Sequence, residues 1–246
     1  MKVYALGTAG WIPGKNETSC FMVETENALF LLDAGTGIAN LMHYKDVLDR
    51  YPTIHLLLSH YHLDHTIGLI YLDPLVRNKE LIIYGPGLPY YKYSTEYYMR
   101  SLLRPEFFSR RIEDFATKVT CKDYPTSVFS LSGSTVSVKE QTHSSPSFRI
   151  SIDNKLVYAT DTAFNASDWA NVKADVLLHE CWEVENTNAK HTSLAKLMQE
   201  LPQDAFSQIL LIHQNPFWSS DVRASIEEII RDTKFSLPCD GMTLMI

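Results

Sequence analysis

Cysteine is scarce in this chain. Four residues, Cys20, Cys121, Cys181 and Cys239, are spread over 246 positions. None sits in a C-x-x-C knuckle, which argues against a thiolate zinc finger or ribbon. Free thiols in a reducing cytosol are the expectation. Long apolar runs are also missing: none reaches the ~18 residues a bilayer span needs. No secretory signal precedes Val3-Tyr4-Ala5-Leu6, which reads as a first strand, so a soluble cytoplasmic protein is expected. Basic charge is short, with 22 Lys and Arg against 29 Asp and Glu, a net charge of −7. Grip on long nucleic acid comes largely from neutralising phosphates, so that task is disfavoured, although a local basic patch stays open. Low-complexity tracts, linkers and exact repeats are absent. Residues 1–246 are read as one domain of ordinary α/β size.

Strand-like runs recur at short intervals. Lys2–Leu6, Ser19–Glu24 and Ala28–Leu32 form an opening meander punctuated by turn residues. Ile54–Ser59 is almost wholly apolar, as expected of a strand covered on both faces. Leu81–Tyr84 is another short strand. In the second half, Ser134–Glu140, Phe148–Ile152, Lys155–Ala159, Val176–His179, Gln208–Ile212 and Gly241–Ile246 read as strands. Helical spacing is expected over Ile38–Leu48, from Thr66, over Ser193–Leu201 and over Val222–Arg231. The Tyr- and Arg-rich stretch from Leu88 to about Asp114 is read as helical, over the mouth of a site or in a subunit contact. Two halves, each of strands then helix, predict two sheets packed face to face with helices outside.

Chemistry concentrates at His60-Tyr61-His62-Leu63-Asp64-His65, directly after the apolar run. Three imidazoles and a carboxylate leaving one strand end aim hard ligands out of a rigid core. A hydrolytic metal pair needs more ligands than one cluster supplies. The chain offers them at other strand ends: His143 after Val136–Gln141, Asp161 after Leu156–Thr160, and His213 after Ile209–Ile212.

This order, H-x-H-x-D-H followed by a lone His, a lone Asp and a lone His, resembles the metallo-β-lactamase superfamily. The resemblance covers nearly the whole chain and includes Leu32-Asp33-Ala34-Gly35, similar to that family's strand-end Asp turn. It implies a four-layer αββα sandwich with the site at one edge of the two sheets. It also implies that His60, His62 and His143 hold one divalent ion and that Asp64, His65 and His213 hold a second. Asp161 would bridge the two, and Asp33 would orient a ligand by hydrogen bonding. Zn²⁺ is the first expectation for both ions and Mn²⁺ the second.

Val176–Cys181 ends in Glu180, and Lys190-His191-Thr192-Ser193 opens a helix. A strand-end Glu followed by such a His is similar to the ribonuclease Z branch. There the pair implies a leaving-group acid: Glu180 would orient His191, and His191 would protonate the departing oxygen. Asp64 would take a proton while ligating, and Ser144, Ser145 and Thr162 would donate to phosphate oxygens. The long basic arm with which ribonuclease Z grips transfer RNA has no counterpart here. That departure favours a small phosphodiester, with a cyclic nucleotide first. The compact relatives include cyclic-nucleotide phosphodiesterases, some of them viral proteins that erase host cyclic-nucleotide signals. The same relatives suggest a homodimer. A ribonuclease Z-type endonuclease on transfer RNA and a lactonase or β-lactamase acting on carboxylic substrates remain as alternatives, and a nucleotide-binding module without turnover is a further one.

Overall fold

The computed structural model describes residues 1–185 and 189–246. Its first sheet holds seven strands: β1 (Lys2–Gly7), β2 (Cys20–Glu24), β3 (Leu29–Leu32), β4 (Thr53–Leu57), β5 (Glu80–Gly85), β6 (Lys118–Asp123) and β14 (Thr243–Met245). The second is built from β7 (Val128–Leu131), β8 (Ser134–Gln141), β9 (Ser147–Ile152), β10 (Leu156–Ala159), β11 (Ala174–Glu180), β12 (Phe206–Ile212) and β13 (Phe235–Ser236). Strand order is β14-β1-β2-β3-β4-β5-β6 in one and β13-β12-β11-β10-β9-β8-β7 in the other. Each sheet is mixed. β14 to β3 pair antiparallel and β3 to β6 parallel. In the same way β7 to β10 pair antiparallel and β10 to β13 parallel.

Alternation within the apolar strands builds three cores. In β3, Phe30 and Leu32 point between the sheets, where they join Phe21, Leu57, Phe148, Ile150, Tyr158 and Leu210. Leu29 and Leu31 point the other way, onto Ile38, Leu41, Leu69 and Met99 of the flanking helices. On the far side, Val157, Leu177 and Leu211 pack against Leu194, Leu197 and Ile226. Because both faces of each sheet are covered, these strands read as unbroken apolar runs. Burying each large side chain contributes about 1.5–3 kcal/mol. The result is the expected αββα sandwich.

The helices are α1 (Lys45–Leu48), α2 (Leu72–Leu75), α3 (Thr95–Leu102), α4 (Leu194–Glu200) and α5 (Ser220–Ile229). Ser94, Ser193 and Ser219 cap the last three, each side chain accepting from a backbone N–H three residues on. Several expectations are corrected. Thr36–Tyr44 and Ile67–Tyr71 are 3₁₀ turns, with only short α segments after them. In the first, Gly37 lets the turn lie against β1: a Cβ there would stand 2.6 Å from Gly7 Cα. The 88–114 stretch is helical only at Thr95–Leu102 and Ile112–Asp114. Strands β6, β7 and β13 were not foreseen; β6 and β7 are edge strands with few buried residues. Among the described residues, no helix is long and apolar enough to cross a membrane.

Candidate metal centre

Strands β3, β4, β10, β11 and β12 deliver Asp33, the His60–His65 loop, Asp161, Glu180 and His213 to one edge of the sandwich. Antiparallel β8 adds His143 from its own carboxyl end. Asp33, Asp161 and His213 leave their strands at φ of 58°, 45° and 48°, the left-handed region. Each such turn costs about 1–2 kcal/mol and swings a side chain off the line of its strand. Two glycines let the loops close in. A Cβ on Gly10 would stand 2.4 Å from the His213 ring, and one on Gly35 2.4 Å from the Asp64 carbonyl oxygen.

Asp161, 3% exposed, is the centre of the arrangement. Its Oδ2 lies 3.5 Å from His60 Nε2 and 3.2 Å from His143 Nε2. Its Oδ1 lies 3.2 Å from His65 Nε2 and 2.8 Å from His213 Nε2. His62 Nδ1 joins the first group, 2.9 Å from His60 Nε2. Asp64 Oδ2 joins the second, 3.4 Å from both His65 Nε2 and His213 Nε2. Two ligand groups therefore share one carboxylate, an oxygen to each: His60, His62, His143 and Asp161, then Asp64, His65 and His213. The sequence expected these seven residues, and the fold brings all seven together.

Proton bookkeeping tests whether cations fit. Asp33 is fully buried and accepts from Ser59 N, Ser59 Oγ, His65 Nδ1 and Tyr158 OH, each at 2.7 Å. Ser59 gives its only hydroxyl proton to Asp33, so toward His60 Nδ1, 2.9 Å away, it must accept. His143 Nδ1 donates to the Lys190 carbonyl at 3.0 Å. The proton of His60, His65 and His143 is thus fixed on Nδ1, and each turns Nε2 toward an oxygen of Asp161. A bare Nε2 facing a carboxylate at such distances is repelled unless positive charge stands between them. His65 Nε2 is buried without a hydrogen-bond partner.

The two groups answer that need differently. Burial, with His60 beside it, pushes His62 down to about 4, and burial likewise takes His143 to about 4. His62 and His143 therefore resist protons, and their group fits a cation. In the second, burial lowers His213, but Asp161 and Asp64 outweigh it and bring it up to about 10. Burial opposes His65 too, yet Asp64, Asp161 and Asp33 raise it well above its usual value. Protons on those two rings are the metal-free alternative, and the carboxylates that hold them equally suit a divalent ion. Both groups fit.

Beside the pair stands a third group. Glu180, fully buried, accepts from His191 Nδ1 at 2.8 Å and from the Thr162 backbone N–H. Burial raises the Glu180 carboxyl, and His191 opposes the rise. His191 lies flat against Trp182, ring centroids 4.9 Å apart, and 5.3 Å from the His143 ring. Glu180, His191 and His213 also lie close enough to share an ion. The hydrogen bond between Glu180 and His191 is 2.8 Å long.

Some placements differ from expectation. Ser145 Oγ is 3.2 Å from His62 Nε2 and steadies that ligand. Thr162 Oγ1 donates to the Ala163 carbonyl, while Ser144 stays exposed. The middle segment does border the site: Tyr91 and Tyr98 pack on Tyr61, between His60 and His62, and Tyr91 OH donates to the Pro146 carbonyl. Two of its arginines are committed to ion pairs. Arg100 pairs with Glu96 and Glu113, and Arg110 with Asp73. A cavity of about 510 Å³ opens beside His143, lined also by Thr142, Ser144, Ser145, Asn165 and Asp168. Sequence reasoning missed Ser59, Tyr158, Trp182 and the Trp11 N–H, which reaches Asp64 Oδ2 at 2.9 Å. Only Ser59, adjacent to the motif, carried a signal.

The family model described as "Anti-Pycsar protein Apyc1" matches residues 1–232. A curated ribonuclease Z of Metallosphaera sedula is 31% identical over 112 residues, 44% of this chain and 38% of the relative. The match thus spans well under half of that protein. Among solved structures, the metallo-β-lactamase fold protein YhfI from Bacillus subtilis aligns with a TM-score of 0.76 at 20% identity, over 99% of each chain. The short form of human tRNase Z aligns at 0.72 and 18%, over 100% of this chain and 99% of that one.

Proposed function

The chain belongs to the family described as Anti-Pycsar protein Apyc1, in the ribonuclease Z-like branch of the metallo-β-lactamase superfamily, and from that premise we propose that it is a metal-dependent hydrolase of a small phosphodiester, a cyclic nucleotide first. The observation that carries this reading is the Glu180–His191 hydrogen bond of 2.8 Å beside the shared carboxylate of Asp161. A phosphodiester with an alkoxide to expel calls for a proton donor at the departing oxygen.

His60, His62 and His143 would hold one ion, Asp64, His65 and His213 the other, and Asp161 both. Zn²⁺ suits this imidazole and carboxylate set, with Mn²⁺ second. When bound, two such ions supply an acidified water and neutralise charge on phosphorus. His65 overcomes the effect of burial and holds Asp64 ionised, so that carboxylate accepts and the Trp11 N–H fixes its direction. Glu180 holds His191 by Nδ1, and His191 would deliver a proton to the departing ribose oxygen. Positioned general acids of this kind contribute about 10²–10⁴-fold.

Ribonuclease Z-type cleavage of transfer RNA is the second reading, favoured by the curated relative and opposed by the net charge of −7. A homodimer accompanies the first reading, supported by exposed Tyr90, Tyr97 and Phe107 on the middle segment. The cysteines are free thiols, in keeping with work in a reducing cytosol. The test is product analysis by mass spectrometry after incubating metal-loaded protein with cyclic mono- and dinucleotides, precursor transfer RNA, a lactone and nitrocefin. Linear nucleotides are expected. Turnover confined to the RNA or to the acyl substrates overturns the proposal.

A further inference from the structure

Two large aromatic side chains stand open to solvent at the rim of the second ligand group. Trp11 is 58% exposed and Phe217 67% exposed, although burial would favour both. They touch edge to face, centroids 5.7 Å apart at 70°. Neither is a loose surface residue. Trp11 N–H is bonded to Asp64 Oδ2 at 2.9 Å, so the indole starts three covalent bonds from an atom that touches a metal-group carboxylate. Its backbone sits at φ 58°, which an L side chain seldom adopts. Phe217 lies four residues after His213, and its N–H is held by Asn215 Oδ1 at 2.9 Å. Asn215 is in turn tied to the Trp182 carbonyl at 3.2 Å, under the ring that stacks on His191. Trp11 is therefore hydrogen-bonded to a metal-group carboxylate, and Phe217 is tied through Asn215 to the backbone of the residue whose ring stacks on His191. An edge-to-face pair leaves at least one flat face of each ring open.

We infer that Trp11 and Phe217 form a stacking subsite for the planar base of the substrate, placed beside the Asp64 side of the metal pair. The inference rests on the phosphodiesterase reading and adds how the nucleoside half is held. A ring face recognises any base through its π surface, so the subsite gives affinity with little discrimination between bases. No charged partner for the base is required.

The test compares cyclic AMP with base-free ribose 3′,5′-cyclic phosphate on the metal-loaded enzyme. Stacking on an aromatic ring typically carries about 5- to 150-fold in affinity. Trp11→Ala and Phe217→Ala should raise KM for cyclic AMP at least about fivefold more than KM for the base-free ester, with the larger change in KM rather than kcat. Trp11→Phe should recover most of the loss. Equal effects on the two esters, or no rescue by phenylalanine, overturn the subsite. Failure of wild type to cleave either ester would sink the phosphodiesterase reading instead. In that event binding of AMP decides: it should quench tryptophan fluorescence less in Trp11→Phe than in wild type, the remainder coming from Trp182 beside His191, and identical titrations refute the stacking. A change of oligomeric state in Trp11→Ala with unaltered nucleotide binding would assign the pair to a contact between copies and likewise overturn the proposal.

Discussion

Asp33→Asn removes one charge and one acceptor from a wholly buried node. The carboxylate accepts four hydrogen bonds, one at Oδ1 from Ser59 N and three at Oδ2 from Ser59 Oγ, His65 Nδ1 and Tyr158 OH. An asparagine keeps most by leaving its carbonyl at the Oδ2 position. Its NH₂ then faces the Ser59 N–H, donor against donor. One charge-assisted bond is lost, about 1.5–3 kcal/mol, and a buried N–H is stranded for about 1–3 kcal/mol more. The sum, about 2.5–6 kcal/mol, is a large share of the ~5–15 kcal/mol by which a domain is stable. The orienting bond to His65 also weakens, which typically lowers metal affinity about 10–100-fold. Urea unfolding in EDTA reads the first effect, and competition with a zinc chelator the second. A variant within about 0.5 kcal/mol of wild type that also binds zinc equally well would refute the placement of Asp33 as the anchor of His60 and His65.

His191→Ala should keep both ions by elemental analysis and lose about 10²–10⁴-fold in kcat on a diester with a poor leaving group; unchanged turnover removes the acid role. Gly10→Ala should displace the His213 ring, because the new Cβ would lie 2.4 Å from it, and metal content should fall to about one ion per chain; full occupancy would show that the loop yields. His65 and His213 carry raised values in the metal-free state, His213 about 10 against an ordinary 6.5. Zinc loading at pH 7.5 should therefore release up to about two protons per chain, read by calorimetry in buffers of different ionisation enthalpy, and none released would contradict the metal-free charge state. By the same sign, His213 stabilises the metal-free fold fully below about pH 6.5, and that contribution drains as pH rises toward about 10.

Ligand identity was legible because it depends on residue type at strand ends, and apolar runs mark strand ends well. Asp161 and His213 follow β10 and β12 almost immediately, so locating those strands located the ligands. The hydrogen bonds that orient the ligands were not legible. Tyr158 lies 125 positions from Asp33 and inside an ordinary-looking strand, so only the packing of the two sheets brings its hydroxyl to that carboxylate. The helical expectation for residues 88–114 failed for a local reason. Aromatic spacing there serves clustering onto Tyr61 and Tyr98 and not one continuous helix face, and turns break the run on either side of Thr95–Leu102. Strands β6 and β7 escaped because half-exposed edge strands lack the apolar signature.

The central claim is that Asp161 gives one oxygen to each of two cations. Crystals of the zinc-loaded protein, measured at the zinc absorption edge, test it most directly. The account predicts two anomalous peaks about 3.5–4 Å apart, one among His60, His62 and His143, the other among Asp64, His65 and His213, with the Asp161 carboxylate between them. A single peak, or two peaks with Asp161 bound to neither or to only one, would contradict it.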